Sequence, residues 1–200
     1  PPAQYQQLDR AIGLIADMKI DAAQGMLNTY LAENPSCVRG RLAAAAVYIQ
    51  QGQLQNAVTE LDSVYRQQPN NTIALYVLGH CLERLGQESK AVEFYQDCLK
   101  FKNHLQLPRQ RLAAIYFKNN QLDKAIEEYE ILKNEYPDDT QTLVMLGYLY
   151  IANAQYAKAV ETFNTAILIH PDNFQADNNL DQLVHTGRLH EAIEHLDNLL

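Results

Sequence analysis

A 34-residue period constrains this chain more than any other feature. Pro35, Pro69, Pro137 and Pro171 lie 34, 68 and 34 residues apart, and Asn103 stands at the midpoint that proline skips. Twelve residues before each of these five positions comes an alanine, at Ala23, Ala57, Ala91, Ala125 and Ala159. Four residues after each alanine comes a large apolar or aromatic residue: Leu27, Leu61, Tyr95, Tyr129 and Phe163. Four residues are about one α-helical turn, so each pair shares a helix face. The proline then ends that helix, because it lacks an N–H and pushes the residue before it out of helical geometry.

A second helical pattern lies upstream of each of these. Between 72 and 103, Leu75, Leu78, Gly79 and Leu82 mark one face, Gly86 supplies the turn, and Ala91 and Tyr95 face back across it. Leu78-Gly79 returns as Leu146-Gly147, with Ala44-Ala45 and Leu112-Ala113 in the repeats between, and Tyr48, Leu82, Tyr116 and Tyr150 recur at one place. Small residues at the crossing let two helix axes approach closely, with the large side chain beside them. Such a hairpin buries one side only, and stacking on its neighbours buries the other.

This pattern resembles the tetratricopeptide repeat, whose signature runs aromatic, Leu-Gly and Tyr on helix A, Ala-x3-Phe on helix B, and a closing Pro. The resemblance implies an all-α, right-handed superhelical solenoid of tandem helix-turn-helix repeats. We divide 1–200, as a single domain, into repeats at about 4–37, 38–71, 72–105, 106–139 and 140–172, with an incomplete sixth at 173–200. In the sixth, Gly187, Ala192 and Leu196 take the matching places, and Asn179-Leu180 replace Leu-Gly. The chain has no Trp, and the first signature aromatic is Gln7, Arg41, Leu75, Arg109 or Leu143 instead. Turns are expected at Met18-Lys19, Gly52, Gly86, Asn119-Asn120 and Asn153-Ala154. No low-complexity linker interrupts the series, so coupling along the stack is expected to be continuous.

No apolar run approaches the ~20 residues of a membrane-spanning helix, and no secretory signal pattern is present, which together predict a cytoplasmic protein without membrane insertion. A formal charge of −8 argues against a nucleic-acid partner, which needs a clustered basic face. Cysteines number three, and Cys81 and Cys98 fall within helical patterns as small core residues, which suits a reducing compartment. Cys37 falls in a loop and is a candidate reactive thiol, although no flanking motif supports it. The chain begins with Pro1 rather than Met, and Leu196, Leu199 and Leu200 form an apolar ridge without the polar cap that closes a solenoid. Both features predict a segment of a longer protein, and self-association through the uncapped C-terminal end is one use of that ridge.

With the closing proline as position 32, positions 2, 5, 9 and 12 share a further face of helix A. The resemblance implies that this face, with position 6 beside it, lines a concave groove. In the second repeat it comprises Arg39, Leu42, Ala43, Ala46 and Ile49, and in the third Ile73, Tyr76, Val77, His80 and Glu83. The fourth contributes Leu107, Gln110, Arg111, Ala114 and Phe117, and the fifth Gln141, Val144, Met145, Tyr148 and Ile151. Two readings stand at this point. The stripe accepts an amphipathic helix or extended peptide of another protein, with Arg39, Arg84, Arg111 and Lys118 orienting an acidic partner. Alternatively it fills the space between adjacent helices A. Tyr76 and Tyr148 are the strongest groove candidates. Members of the family that clamp a C-terminal carboxylate carry Lys at position 5 and Asn at position 9; position 5 here is Leu8, Leu42, Tyr76, Gln110, Val144 or Asp177, and position 9 is never Asn. An asparagine ladder at position 6 is absent too, since Asp9, Ala43, Val77, Arg111, Met145 and Asn178 stand there.

Little in the chain points to chemistry. His190 and His195 in HEAIEH are five residues apart and face different ways, unlike the two histidines of HExxH, so no metal is expected. His80 and His185 lack a neighbouring nucleophile or carboxylate pattern, no Gly-rich phosphate loop is present, and no cofactor is expected. Glu127, Glu128, Glu130 and Glu135 read as the solvated outer face of a helix B. Asn71, within a glycosylation-like Asn70-Asn71-Thr72, reads as a helix cap. The function expected is therefore a non-catalytic protein-protein interaction scaffold. The alternative is a substrate-recruiting arm of an enzyme, for example a glycosyltransferase, whose catalytic domain lies outside these residues.

Overall fold

The helical patterns of the first five repeats become α-helices in the computed structural model, which describes residues 3–172 and Asn179. In chain order these are α1 (Ala3–Ala16), α2 (Ile20–Glu33), α3 (Val38–Gln50), α4 (Leu54–Gln67), α5 (Thr72–Arg84), α6 (Glu88–Phe101), α7 (Gln106–Lys118), α8 (Leu122–Glu135), α9 (Thr140–Ala152) and α10 (Tyr156–Ile169). No strand occurs among the described residues. Among the described residues the helices pair as five hairpins, each an A helix followed by a B helix. The sixth repeat, with Leu196, Leu199, Leu200 and the stretch from His190 to His195, lies outside the described residues, Asn179 excepted.

Two compact units make up the chain, Pro1–Asn103 and His104–Leu200. The first holds α1 to α6, and the second holds α7 to α10. Their boundary falls where Asn103 takes the place of the closing proline. In the first unit the core runs through Leu8, Leu27, Tyr30 and Val47, then through Leu61, Val64, Leu78 and Cys81. In the second, Leu112, Ile115, Leu132, Leu143, Leu146 and Phe163 are buried.

The turns repeat a backbone geometry more strictly than a residue. Met18, Gly52, Gly86, Asn120 and Ala154 all occupy the left-handed region, with φ between 54° and 76°. In each case the next N–H donates to a carbonyl five residues back: Lys19 to Leu14, Gln53 to Tyr48, Gln87 to Leu82, Gln121 to Tyr116 and Gln155 to Tyr150, at 2.8–2.9 Å. This closure satisfies carbonyls at the end of each helix A, and it is strong enough to hold a Met and an Ala where Gly is favoured. At the start of α5, Asn71 accepts from the Ala74 N–H at 3.1 Å and is the cap expected of it. Asp139 caps α9, accepting from the Gln141 N–H at 3.2 Å and the Thr142 hydroxyl at 2.7 Å.

Small and large residues stand at matching places of the five hairpins, as Ala11 and Leu27, Ala45 and Leu61, Gly79 and Tyr95, Ala113 and Tyr129, and Gly147 and Phe163. A Cβ on Gly79 would lie 2.6 Å from Tyr95 Cε1, and one on Gly147 would collide with the Phe163 ring. Glycine is needed there because a fully buried ring lies directly against the helix backbone. The missing signature aromatic has a substitute. Arg41 pairs with Glu60 at 2.6 Å and Arg109 with Glu128 at 2.8 Å, each joining the A and B helices of one hairpin. The acidic face expected on α8 is corrected accordingly. Glu127 and Glu135 are exposed, but Glu128 is engaged by Arg109, and Glu130 accepts from the Tyr150 hydroxyl at 2.6 Å.

Candidate functional site

Within the first unit, the stripe on α3 and α5 divides between packing and exposure. Leu42, Ile49 and Val77 are half-buried against the core, and Ala43 is buried. Arg39 is exposed and pairs with Asp9 of α1 at 2.8 Å. Ile73 is exposed, as is Arg84. Tyr76 lies between these extremes: its half-buried ring is 5.9 Å from the ring of Tyr95 and stacks on His80 at 6.4 Å. Glu83 accepts a 2.7 Å hydrogen bond from the Tyr95 hydroxyl.

The second unit is more open. On α7, Leu107, Phe117 and Lys118 are exposed and Arg111 is half-buried; on α9, Met145 and Tyr148 are exposed and Ile151 is half-buried. Val144 was expected on the same surface and is corrected: it is 3% exposed and packs inside the unit, because the α9 face that carries it turns inward. A cavity of about 480 Å³ opens between the ends of α7 and α9. Ala113, Ala114 and Phe117 form one wall, Met145, Tyr148, Leu149, Ile151 and Ala152 the other, and Tyr129 of α8 reaches it from below. The volume falls within the ~300–1,000 Å³ of sites that hold a small ligand. Tyr148 is braced edge-on by Phe163, with ring centroids 6.3 Å apart at 90°.

Leu149, Ala152 and above all Tyr129 were not expected here. Tyr129 sits on helix B, at the crossing position. Two other crossings place an aromatic ring against Gly, and both rings, Tyr95 and Phe163, are fully buried. In the α7/α8 hairpin an Ala faces the ring instead; Tyr129 remains 7% exposed and becomes part of the cavity wall. Burial pushes the Tyr129 phenol above its usual range, with Asp139 adding to the shift, so the hydroxyl stays neutral.

The cavity can accept apolar side chains. No charged residue lines it, and its only side-chain polar groups are two phenol hydroxyls. Around it, α9 carries no charged residue, and α7 carries Arg109, Arg111 and Lys118 without a carboxylate. Among the described residues, no group of three or more His, Cys, Asp or Glu side chains could hold a metal ion, and no helix is long and apolar enough to cross a membrane. Cys81 and Cys98 are buried free thiols, and burial raises both above the usual thiol range. Cys37 is half-buried, with the Tyr30 hydroxyl 3.4 Å from its sulfur.

Four tetratricopeptide-repeat profiles match the sequence, at residues 8–71, 48–104, 110–139 and 140–173. BBSome complex member BBS4 of Bos taurus is 33% identical over 99 residues, 50% of this chain and 19% of that protein. Anaphase-promoting complex subunit 3 of Schizosaccharomyces pombe is 28% identical over 151 residues, 76% of this chain and 21% of that protein. The chain thus spans about a fifth of the length of these two relatives. Among solved structures, MamA superposes with a TM-score of 0.76 at 20% identity, covering 84% of this chain and 92% of MamA. YrrB, described as a repeat protein with an unusual peptide-binding site, superposes with a TM-score of 0.71 at 20% identity, covering 88% of this chain and 90% of YrrB.

Proposed function

We propose, from the premise that this chain belongs to the tetratricopeptide-repeat family, that it is a non-catalytic interaction scaffold whose A helices bind a peptide or amphipathic helix of another protein. The observation that carries this reading is where the apolar surface lies. Of nine exposed large hydrophobic residues among those described, five stand on the predicted stripe: Ile73, Leu107, Phe117, Met145 and Tyr148. Three of these border the α7/α9 cavity. Four of the five stand on α7 and α9 of the second unit, and apolar side chains gathered on neighbouring helices are characteristic of an interaction site. The curated relatives that are members or subunits of complexes, and a solved relative with a peptide-binding site, support the same reading. Buried free thiols at Cys81 and Cys98 support a reducing, cytoplasmic setting.

Selection from a displayed library of random peptides tests it. The enriched peptides should bind the intact chain, and Tyr148→Asp should weaken binding by at least about tenfold, as loss of an aromatic anchor does. Tyr76→Asp provides the same test in the first unit. Helical content should be unchanged in Tyr148→Asp, because that ring is 47% exposed. Failure to enrich any peptide, or equal affinity in both variants, would refute the assignment.

A further inference from the structure

We propose that the α7/α9 cavity is a specificity pocket for one tryptophan side chain of a bound peptide. This rests on the reading that the A helices bind peptide, and it names the residue by which the second unit holds its ligand. Size favours this residue. A closed cavity of about 150 Å³ walled by aliphatic and aromatic side chains takes up one benzene ring. At about 480 Å³ the α7/α9 cavity is roughly three times as large, so a leucine or phenylalanine side chain would leave part of its wall without contacts. An indole is the largest apolar group that a peptide carries, and it leaves the least of the wall bare.

The wall favours the same residue. Phe117 and Tyr148 offer aromatic rings and Met145 a thioether, the groups against which an indole gains most beyond its buried area. No charged side chain lines the cavity, so a lysine or glutamate entering it would lose its hydration without replacement. The first unit differs at the matching places. Where α9 carries Tyr148, Ile151 and Ala152, α5 carries His80, Glu83 and Arg84 two periods earlier, so the selectivity belongs to the second unit. The chain contains no Trp, so neither residues 1–200 nor a second copy of them can supply the indole, and the ring comes from another protein. Ala114 and Ala152, both exposed, set the depth of the pocket. One stands in each wall, where a longer side chain would occupy the space.

The test titrates the intact chain with N-acetyl-tryptophanamide and with the matching phenylalanine and lysine amides. Methyl NMR reads Met145 and Ile151 in the wall, and tryptophan emission reads the ligand alone, because the chain contributes none. The tryptophan amide should shift both methyl signals to saturation, and its emission should move to shorter wavelength as the indole leaves water. The phenylalanine amide should bind at least about fivefold more weakly, as its smaller buried area implies. The lysine amide should leave the signals unmoved. Ala114→Leu and Ala152→Leu, one from each wall, should each abolish the shifts. Their thermal midpoints should match the parent's, since both positions are exposed and Leu is nearly as good a helix former as Ala. A tryptophan amide that shifts neither methyl, or binds no better than the phenylalanine amide, overturns the pocket assignment. Parent-like binding by both filled variants overturns it too. Library-selected peptides decide the groove reading separately: peptides without Trp that still lose affinity in Tyr148→Asp leave the groove standing while the pocket falls.

Discussion

At Gly79 the fold has no room for one further carbon. An added methyl would lie 2.6 Å from the fully buried Tyr95 ring, which is itself held by its hydroxyl on Glu83. Helix propensity alone would favour Ala over Gly by about 1 kcal/mol, so the sign of the substitution reports which effect wins. We expect overpacking to win, with Gly79→Ala losing about 1–3 kcal/mol in urea unfolding. Adding Tyr95→Leu recreates the Ala–Leu pairing of the first two hairpins and should recover part of that loss. A Gly79→Ala protein as stable as the parent would mean that the ring moves aside freely. The small-large pairing is legible in the sequence, down to which residue is small. The consequence of a mismatch is not. Ala113 and Tyr129 obey the same one-dimensional rule as Ala11 and Leu27, yet they border a cavity that the pattern does not show. Tyr76 and Tyr148 stand on the same stripe at positions 5 and 9 of their repeats, and one is half-buried against Tyr95 while the other is open.

Helices and turns are the most legible elements, because their period and stop signals are local. The contacts that join one helix to its partner are less so. Arg109 stands where an aromatic belongs, and Glu128 lies in a run of acids. Nothing in the pattern separates Glu128 from its exposed neighbour Glu127 until the crossing of α7 and α8 is known. This link carries a pH signature. Burial raises the Glu128 carboxyl above its usual range, and the bond and charge of Arg109 only partly offset that. A carboxyl raised in the folded state binds its proton more tightly there than in the unfolded chain. Its contribution to stability is therefore greatest at acid pH and falls as pH rises from the unfolded value, about 4.3, through the folded one. Comparison with Glu128→Gln isolates the effect. The stability of the parent relative to this variant should decline as pH is raised through that window, then level off. A relative stability that climbs instead would show that attraction to Arg109 outweighs desolvation across the hairpin.

At the scale of the molecule, the sequence reads as one uninterrupted series, whereas the described residues gather into two compact units meeting at Asn103 and His104. Asn103 is the position where the period omits its proline. Repeat proteins derive stability from each unit and its nearest neighbours, and about three repeats suffice for an independent fold. The first unit meets that count with α1 to α6, and its core clusters run across all three hairpins, from Leu8 through Val47 to Cys81. Its turns close by their own hydrogen bonds, and the cap on α5 comes from Asn71 within the same unit. Residues 1–103 should therefore fold alone. Far-ultraviolet circular dichroism should give helicity per residue close to that of the intact chain, with a cooperative thermal transition. A broad, non-cooperative melt would make this unit depend on the residues after 103. Cooperative folding would instead separate the two candidate surfaces physically, so that peptide binding at Tyr76 could be measured without the α7/α9 cavity.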